Sequence, residues 1–265
     1  MHPEAFRIGG YFQSTYGVMV TLAFLVGLWM AARLGRQAGL HTDAVVNLGV
    51  YVALAALVGA KLLMIVSDLG YYWRNPGELF TLATFRAGGV FFGGLIAALL
   101  VAFFYLRRKR LPALAVADAF APAIALGHVL GRVGCFLAGC CWGQQCDLPW
   151  AVTFTDPLAQ ELFGTPLWVP LHPTQLYEAF AEAVIFVILY LRFRRAHRPG
   201  GIIGLYLVLY PAARFGVEFV RAHDVANPQL GPLLSEQWVA LGLMAGGAWL
   251  LARKTEPAKA APKAS

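Results

Sequence analysis

The chain has 265 residues, 59% hydrophobic and only 13% charged, with a mean hydropathy of +0.62. A soluble domain carries about 25% charged residues, so this chain cannot clothe a globular surface and its composition points to a bilayer. The net charge of +7 and the pI near 9.4 call for a look at where the charges fall before any polyanion is invoked, and no nucleic-acid partner is expected.

A helix crossing the hydrocarbon core needs about 20 mostly apolar residues. Seven stretches meet that need: 15–33, 44–66, 88–106, 113–135, 172–191, 201–220 and 236–252. Barrel strands would be shorter and would alternate apolar with polar. The expected fold is therefore all-α, a polytopic membrane bundle of seven transmembrane helices filling residues 1–254. The first stretch lacks a basic leader and a small-residue cleavage pattern, and reads as a span rather than a signal peptide. With the N-terminus outside, the cytoplasmic segments collect Arg33 and Arg36; Arg107, Arg108, Lys109 and Arg110; Arg192, Arg194, Arg195 and Arg198; and Arg253, Lys254, Lys259 and Lys263. Such a bias predicts an N-terminus outside and a cytoplasmic C-terminus, and it explains the basic pI as topology. The tail, 255–265, is rich in Ala, Pro and Lys and is expected to be disordered. No repeated halves suggest a duplicated transporter.

A charge within a span is costly and by default marks a site. Lys61 in the second span has Glu178, Glu182 and Asp118 as prospective partners. In the fourth, His128, Arg132 and Cys135 fall at i, i+4 and i+7 on one face, flanked by Gly127, Gly131 and Gly134. His128 reads first as a hydrogen-bonded bundle histidine. Arg132 needs an anion, and a lipid phosphate is the obvious one within reach. Cys135, Cys140, Cys141 and Cys146 follow, on the outer face by this topology. Disulfides suit that compartment. A thiolate metal site is awkward for adjacent Cys140 and Cys141, and a reactive thiol near the arginines is the third possibility. No metal and no cofactor are expected.

The fifth stretch opens with His172, Pro173, Thr174, Gln175, Leu176, Tyr177 and Glu178; Pro173 suits a first helical turn, and His172 and Tyr177 suit an interface. Glu178 and Glu182 share an inward face. In the sixth, Tyr210, Arg214, Glu218 and Arg221 lie at i, i+4, i+8 and i+11, within roughly an 80° arc of a helix. A phenol, two guanidiniums and a carboxylate on one stripe exceed what an Arg214–Glu218 packing pair requires.

These segments together resemble the bacterial prolipoprotein diacylglyceryl transferase family. Gly131-Arg132-Val133-Gly134 through Trp142-Gly143 resembles its G-R-x-G-N-F…G-x-x-W-G signature. His172 through Glu178 is similar to H-P-[ST]-Q-L-Y-E, and Tyr210 through Arg221 to Y-x-x-x-R-x-x-V-E-x-x-R. Tyr16-Gly17 looks like its W-Y-G element with Thr15 in place of Trp. The resemblance implies a multi-pass enzyme of the bacterial inner membrane. It would move the diacylglyceryl group of phosphatidylglycerol onto the lipobox cysteine thiol in the signal peptide of a preprolipoprotein. Arg132, Arg214, Glu218, Tyr16 and His172 would then be catalytic. Arg132, Gly143, Tyr210, Arg221, Gln175, Tyr177, Glu178, Gly93 and Gly94 would contact substrate. Two departures accompany it: the histidine of the family's H-G-G-L-I-G is Phe92, and its Asn after R-x-G and a later acidic position are Cys135 and Cys140. A phospholipid-binding relative with no turnover or another acceptor, and a membrane thiol–disulfide oxidoreductase, are the alternatives.

Overall fold

The computed structural model describes residues 2–9, 11–81, 84, 89–222, 229–230 and 232–253. The tail expected to be disordered lies outside them. A hairpin, β1 (Glu4–Ile8) and β2 (Tyr11–Ser14), leads into α1 (Thr15–Gln37), α2 (Thr42–Ser67), α3 (Leu69–Arg74) and a 3-10 turn at Pro76–Phe80. Then come α4 (Phe91–Arg108), α5 (Ala113–Ala138), α6 (Pro157–Phe163), α7 (Thr174–Phe193), α8 (Gly201–Val217) and α9 (Ser235–Ala252). Short strands β3 (Val152–Thr153) and β4 (Pro170–Leu171) pair with each other, as do β5 (Gln229–Leu230) and β6 (Leu233–Leu234).

Each apolar stretch contains one long helix. Four of them, α1, α2, α4 and α5, are long and apolar enough to cross a membrane, and α8 is a shorter apolar helix. Their outer faces carry large exposed side chains such as Leu25, Trp29, Leu57, Leu99 and Phe104, an arrangement suited to lipid rather than water. The protein is thus all-α and has the make-up of a polytopic membrane protein. The sixth stretch ends earlier than expected: α8 stops at Val217 and Glu218 caps it.

Two compact units divide the chain, residues 40–116 and residues 1–39 with 117–265. Within the first, α2 and α4 cross at Gly59 and Gly93, where a Cβ on either would collide with the other's carbonyl oxygen; one at Gly94 would lie 2.9 Å from the Ala56 oxygen. Small residues let backbones approach and gain dispersion contacts that lipid does not outcompete. Lys61 gives its ammonium to the Thr84 carbonyl in this unit.

In the other unit, α1 packs on α5 through Gly134, whose Cβ would meet that of Met19 at 2.7 Å. A helix N-terminus inside a bundle leaves N–H groups without water. Asp118 of α5 answers them for α8, accepting from the N–H groups of Gly200, Ile202 and Ile203 at 2.7, 3.0 and 2.8 Å. Its charge in the fourth stretch thereby caps α8. Residues 139–173 form a packed cap with their own small core of Trp142, Phe154 and Leu171. Thr165 ties it together, its hydroxyl shared between the Gly139 and Ala159 carbonyls at 2.9 Å each.

Candidate functional site

Arg132 of α5, Glu178 of α7 and Arg221 just past α8 converge in the larger unit, and α8 adds the pair Arg214 and Glu218. Arg132 lies 2.6 Å from Glu178, and Arg221 lies 3.3 Å from the same carboxylate. Two guanidiniums on one carboxylate leave a positive charge over, which is what an anionic ligand would use. Arg214 pairs with Glu218 one turn along α8. Glu178, Glu182 and Glu218 are all buried. At membrane depth each unpaired charge costs about 2.5–3.5 kcal/mol, so this many are tolerated because they face one another.

The sequence periodicity places Arg221 on the helical stripe of Tyr210, and that reading needs correction. Beyond Val217 the chain leaves the helix, and Arg221 forms an antiparallel bridge with Gly143. Gln144 donates its backbone N–H to the Val220 carbonyl at 2.8 Å, and Ala222 donates to Trp142 at 3.3 Å. Arg221 thus reaches Glu178 through the folded cap and not through a 3.6-residue repeat. Gly143 is the pivot: a Cβ there would stand 2.5 Å from the His172 Cβ and 2.7 Å from the Val220 oxygen.

A second cluster adjoins the first. His128 Nδ1 sits 2.6 Å from Glu182, with the Tyr206 hydroxyl 3.3 Å from the same ring nitrogen. Tyr206 stacks on Tyr210 at 5.6 Å between ring centres, and Tyr210 lies 5.0 Å from the His128 ring. Tyr206 went unmarked in the sequence; its place four residues before Tyr210, on the same helix face, was the available signal.

On the cap side, Gln175 is fully buried and donates from its amide to the Cys140 carbonyl at 2.7 Å, while Thr174 donates to Cys141 at 2.8 Å. The Tyr177 hydroxyl accepts from the Trp150 indole at 2.8 Å and lies 3.2 Å from His172 Nδ1. Trp150 was not anticipated, since a lone tryptophan in a polar loop carries no pattern. Tyr16 lies in the first turn of α1, and its ring lies against Gly134. Gly93 and Gly94 belong to the smaller unit, on the α2–α4 crossing.

All four cysteines are free thiols, so the disulfides expected from the compartment are not formed here. The sulfurs of Cys135, Cys140 and Cys141 all lie within 4.8 Å of one another. Adjacent side chains ordinarily diverge; Cys141 adopts a φ of 60°, a left-handed conformation rare outside glycine, and this turns its thiol back toward that of Cys140. Hydrogen bonds with Cys135 and Cys140 hold the Cys141 thiol well below its ordinary value, and Arg221 and Arg132 push the same way. The Cys140 thiol is pushed up by its hydrogen bonds with Cys135 and Cys141. A cavity of about 220 Å³ opens here, lined by Cys140, Cys141, Trp142, Phe163, Arg221 and Ala222.

Residues 3–253 match the family described as prolipoprotein diacylglyceryl transferase. A phosphatidylglycerol–prolipoprotein diacylglyceryl transferase of Nitratidesulfovibrio vulgaris (strain Miyazaki F) is 36% identical over 261 residues, covering 95% of this chain and 93% of the relative. The enzyme of the same name from Clostridium tetani is 31% identical, over 91% and 93%. That of Thermosynechococcus vestitus is 30% identical, over 90% and 87%.

Proposed function

Since the chain belongs to the prolipoprotein diacylglyceryl transferase family, we propose that it moves the diacylglyceryl group of phosphatidylglycerol onto the lipobox cysteine of a preprolipoprotein. The carrying observation is the pair of guanidiniums, Arg132 and Arg221, on the single buried carboxylate of Glu178. In this reaction the acceptor thiolate attacks the glyceryl carbon that bears the phosphate. The C–S bond forms, the C–O bond breaks, and glycerol phosphate leaves with the electron pair. Arg132 and Arg214 stabilise the phosphate as that bond breaks, in a site where water is scarce and charge interactions are strong. Glu178 and Glu218 hold those arginines in place. Tyr210 and Arg221 contact the lipid headgroup; Gln175, Tyr177 and Gly143 shape the outer rim with His172, and Tyr16 borders the acceptor side.

The same reading assigns seven transmembrane helices, an outside N-terminus, a cytoplasmic C-terminus and residence in the bacterial inner membrane. Purified protein in liposomes containing phosphatidylglycerol, given a lipobox peptide, tests the activity by mass spectrometry. A diacylglyceryl adduct on the peptide cysteine is expected. Removal of one preorganised oxyanion donor costs roughly 100- to 1,000-fold, and Arg132→Ala or Arg214→Ala is expected to lose at least that much while still inserting. Near-normal turnover in either variant would remove the phosphate-holding role. Lipid binding without any adduct would point to a binding protein or another acceptor.

A further inference from the structure

Three thiols that the transfer chemistry above does not use converge beside its arginines. We infer that Cys135, Cys140 and Cys141 form a three-thiolate site for a thiophilic divalent cation, zinc in the first instance, whose fourth position takes the sulfur of the acceptor cysteine. The inference rests on the transferase reading and supplies the means of thiol activation that it leaves open.

Geometry comes first. A zinc–sulfur bond is about 2.3 Å, so sulfurs around a tetrahedral ion stand about 3.8 Å apart. Sulfurs already within 4.8 Å need to close by only a fraction of the distance between them. The loop that presents them is built rather than loose. Thr174 and Gln175 hold the Cys141 and Cys140 carbonyls, and the Cys140 N–H donates to Cys135 at 3.1 Å. The left-handed turn at Cys141 carries a backbone cost that makes sense where two adjacent thiols must meet. Gln175 keeps its buried carbonyl oxygen without a partner among the described residues, an acceptor left over next to the cluster.

Chemistry sets the role. A structural zinc site is closed by four protein ligands, whereas a three-ligand site keeps a position for substrate. Cys146 is not part of the convergent group, and the cavity opens on Cys140 and Cys141. Three thiolates and a divalent ion carry one net negative charge, and Arg221 lines the same cavity. A metal-bound thiol is deprotonated outright. The acceptor thiol would bind as the fourth ligand and release its proton to water. It would then attack the glyceryl carbon as above, the sulfur leaving the metal as the thioether forms. No oxidant or reductant is consumed.

The test uses the reduced full chain, stripped with a chelator and titrated with Cd²⁺. One ion per chain is expected, with a thiolate-to-metal charge-transfer band. Cys135→Ser, Cys140→Ser and Cys141→Ser should each weaken uptake by at least about tenfold, and Cys146→Ser should not. The ¹¹³Cd resonance of the loaded wild type should move when the lipobox peptide is added, and stay when its cysteine is serine. Stripping should slow transfer by about 100-fold, the scale of a lost proton acceptor, and Zn²⁺ should restore it. Absence of the band, or a disulfide between two of the three cysteines in active protein, would overturn the site. Full transfer by metal-free protein would overturn the inference and leave the transferase reading standing. Uptake by all three thiols with no adduct under any condition would sink the transferase reading, and the fourth-ligand role with it.

Discussion

At Glu178 one carboxylate faces two guanidiniums, Arg132 at 2.6 Å and Arg221 at 3.3 Å. Removing the shared partner of a buried ion group costs about 3–5 kcal/mol, because the charges left behind have no water. Glu178→Ala is therefore expected to lower thermal stability in detergent by an amount of that order; an unchanged melting temperature would mean the arginines repartner freely. Glu178→Gln keeps the shape and should retain part of the lost stability. The residues of this cluster were legible in the sequence because ionisable groups in apolar stretches are few. Their pairing was not. Arg132 and Glu178 are 46 positions apart, and nothing in a one-dimensional pattern links them.

Among the elements, helix caps and crossings decide the framework. Asp118 takes three N–H groups at the start of α8. Loss of a cap costs about 0.5–2 kcal/mol, and a buried site belongs at the top of that range. Asp118→Ala should show this as a lower unfolding midpoint with transfer activity retained below it; lost activity in folded protein would give Asp118 a part in the chemistry. The α2–α4 crossing offers a sharper test. Gly93 stands where any side chain meets the Gly59 carbonyl. Gly93→Leu should destabilise by about 1–3 kcal/mol, the cost of overpacking, whereas Gly131→Ala, with open space at its Cβ, should be tolerated. Equal effects from the two would show that the crossing is not tight. Helix positions themselves were readable from apolar length. The early stop of α8 was not, since Phe219 and Val220 continue the apolar pattern of the stretch, yet Val220 and Arg221 turn to meet Gln144 and Gly143.

At the scale of the whole molecule, the proposed topology rests on where the basic residues fall in the sequence. Arg107 and Arg108 end α4 and Lys109 and Arg110 follow it; Arg192, Arg194 and Arg195 mark the end of α7. With these on the cytoplasmic side, a fluorescent protein fused after the C-terminus should fold and fluoresce, and alkaline phosphatase fused there should be inactive. The reverse pattern would invert the proposed topology and move the cysteine cap to the cytoplasm.

Composition and apolar run length by themselves determined that this chain is a helical membrane protein, and motif order determined its family. Both are local properties, written in consecutive residues, and a bilayer enforces them by excluding unpaired backbone and charge. Tertiary structure alone decided that Arg132 and Arg221 share Glu178, that Asp118 is a cap, and that three cysteines meet. Those contacts depend on how separate helices and the 139–173 cap close on one another, and on one left-handed residue, Cys141, that reverses the usual divergence of neighbours. Spacing in sequence carries no information about such closure, because packing and not periodicity brings the groups within reach.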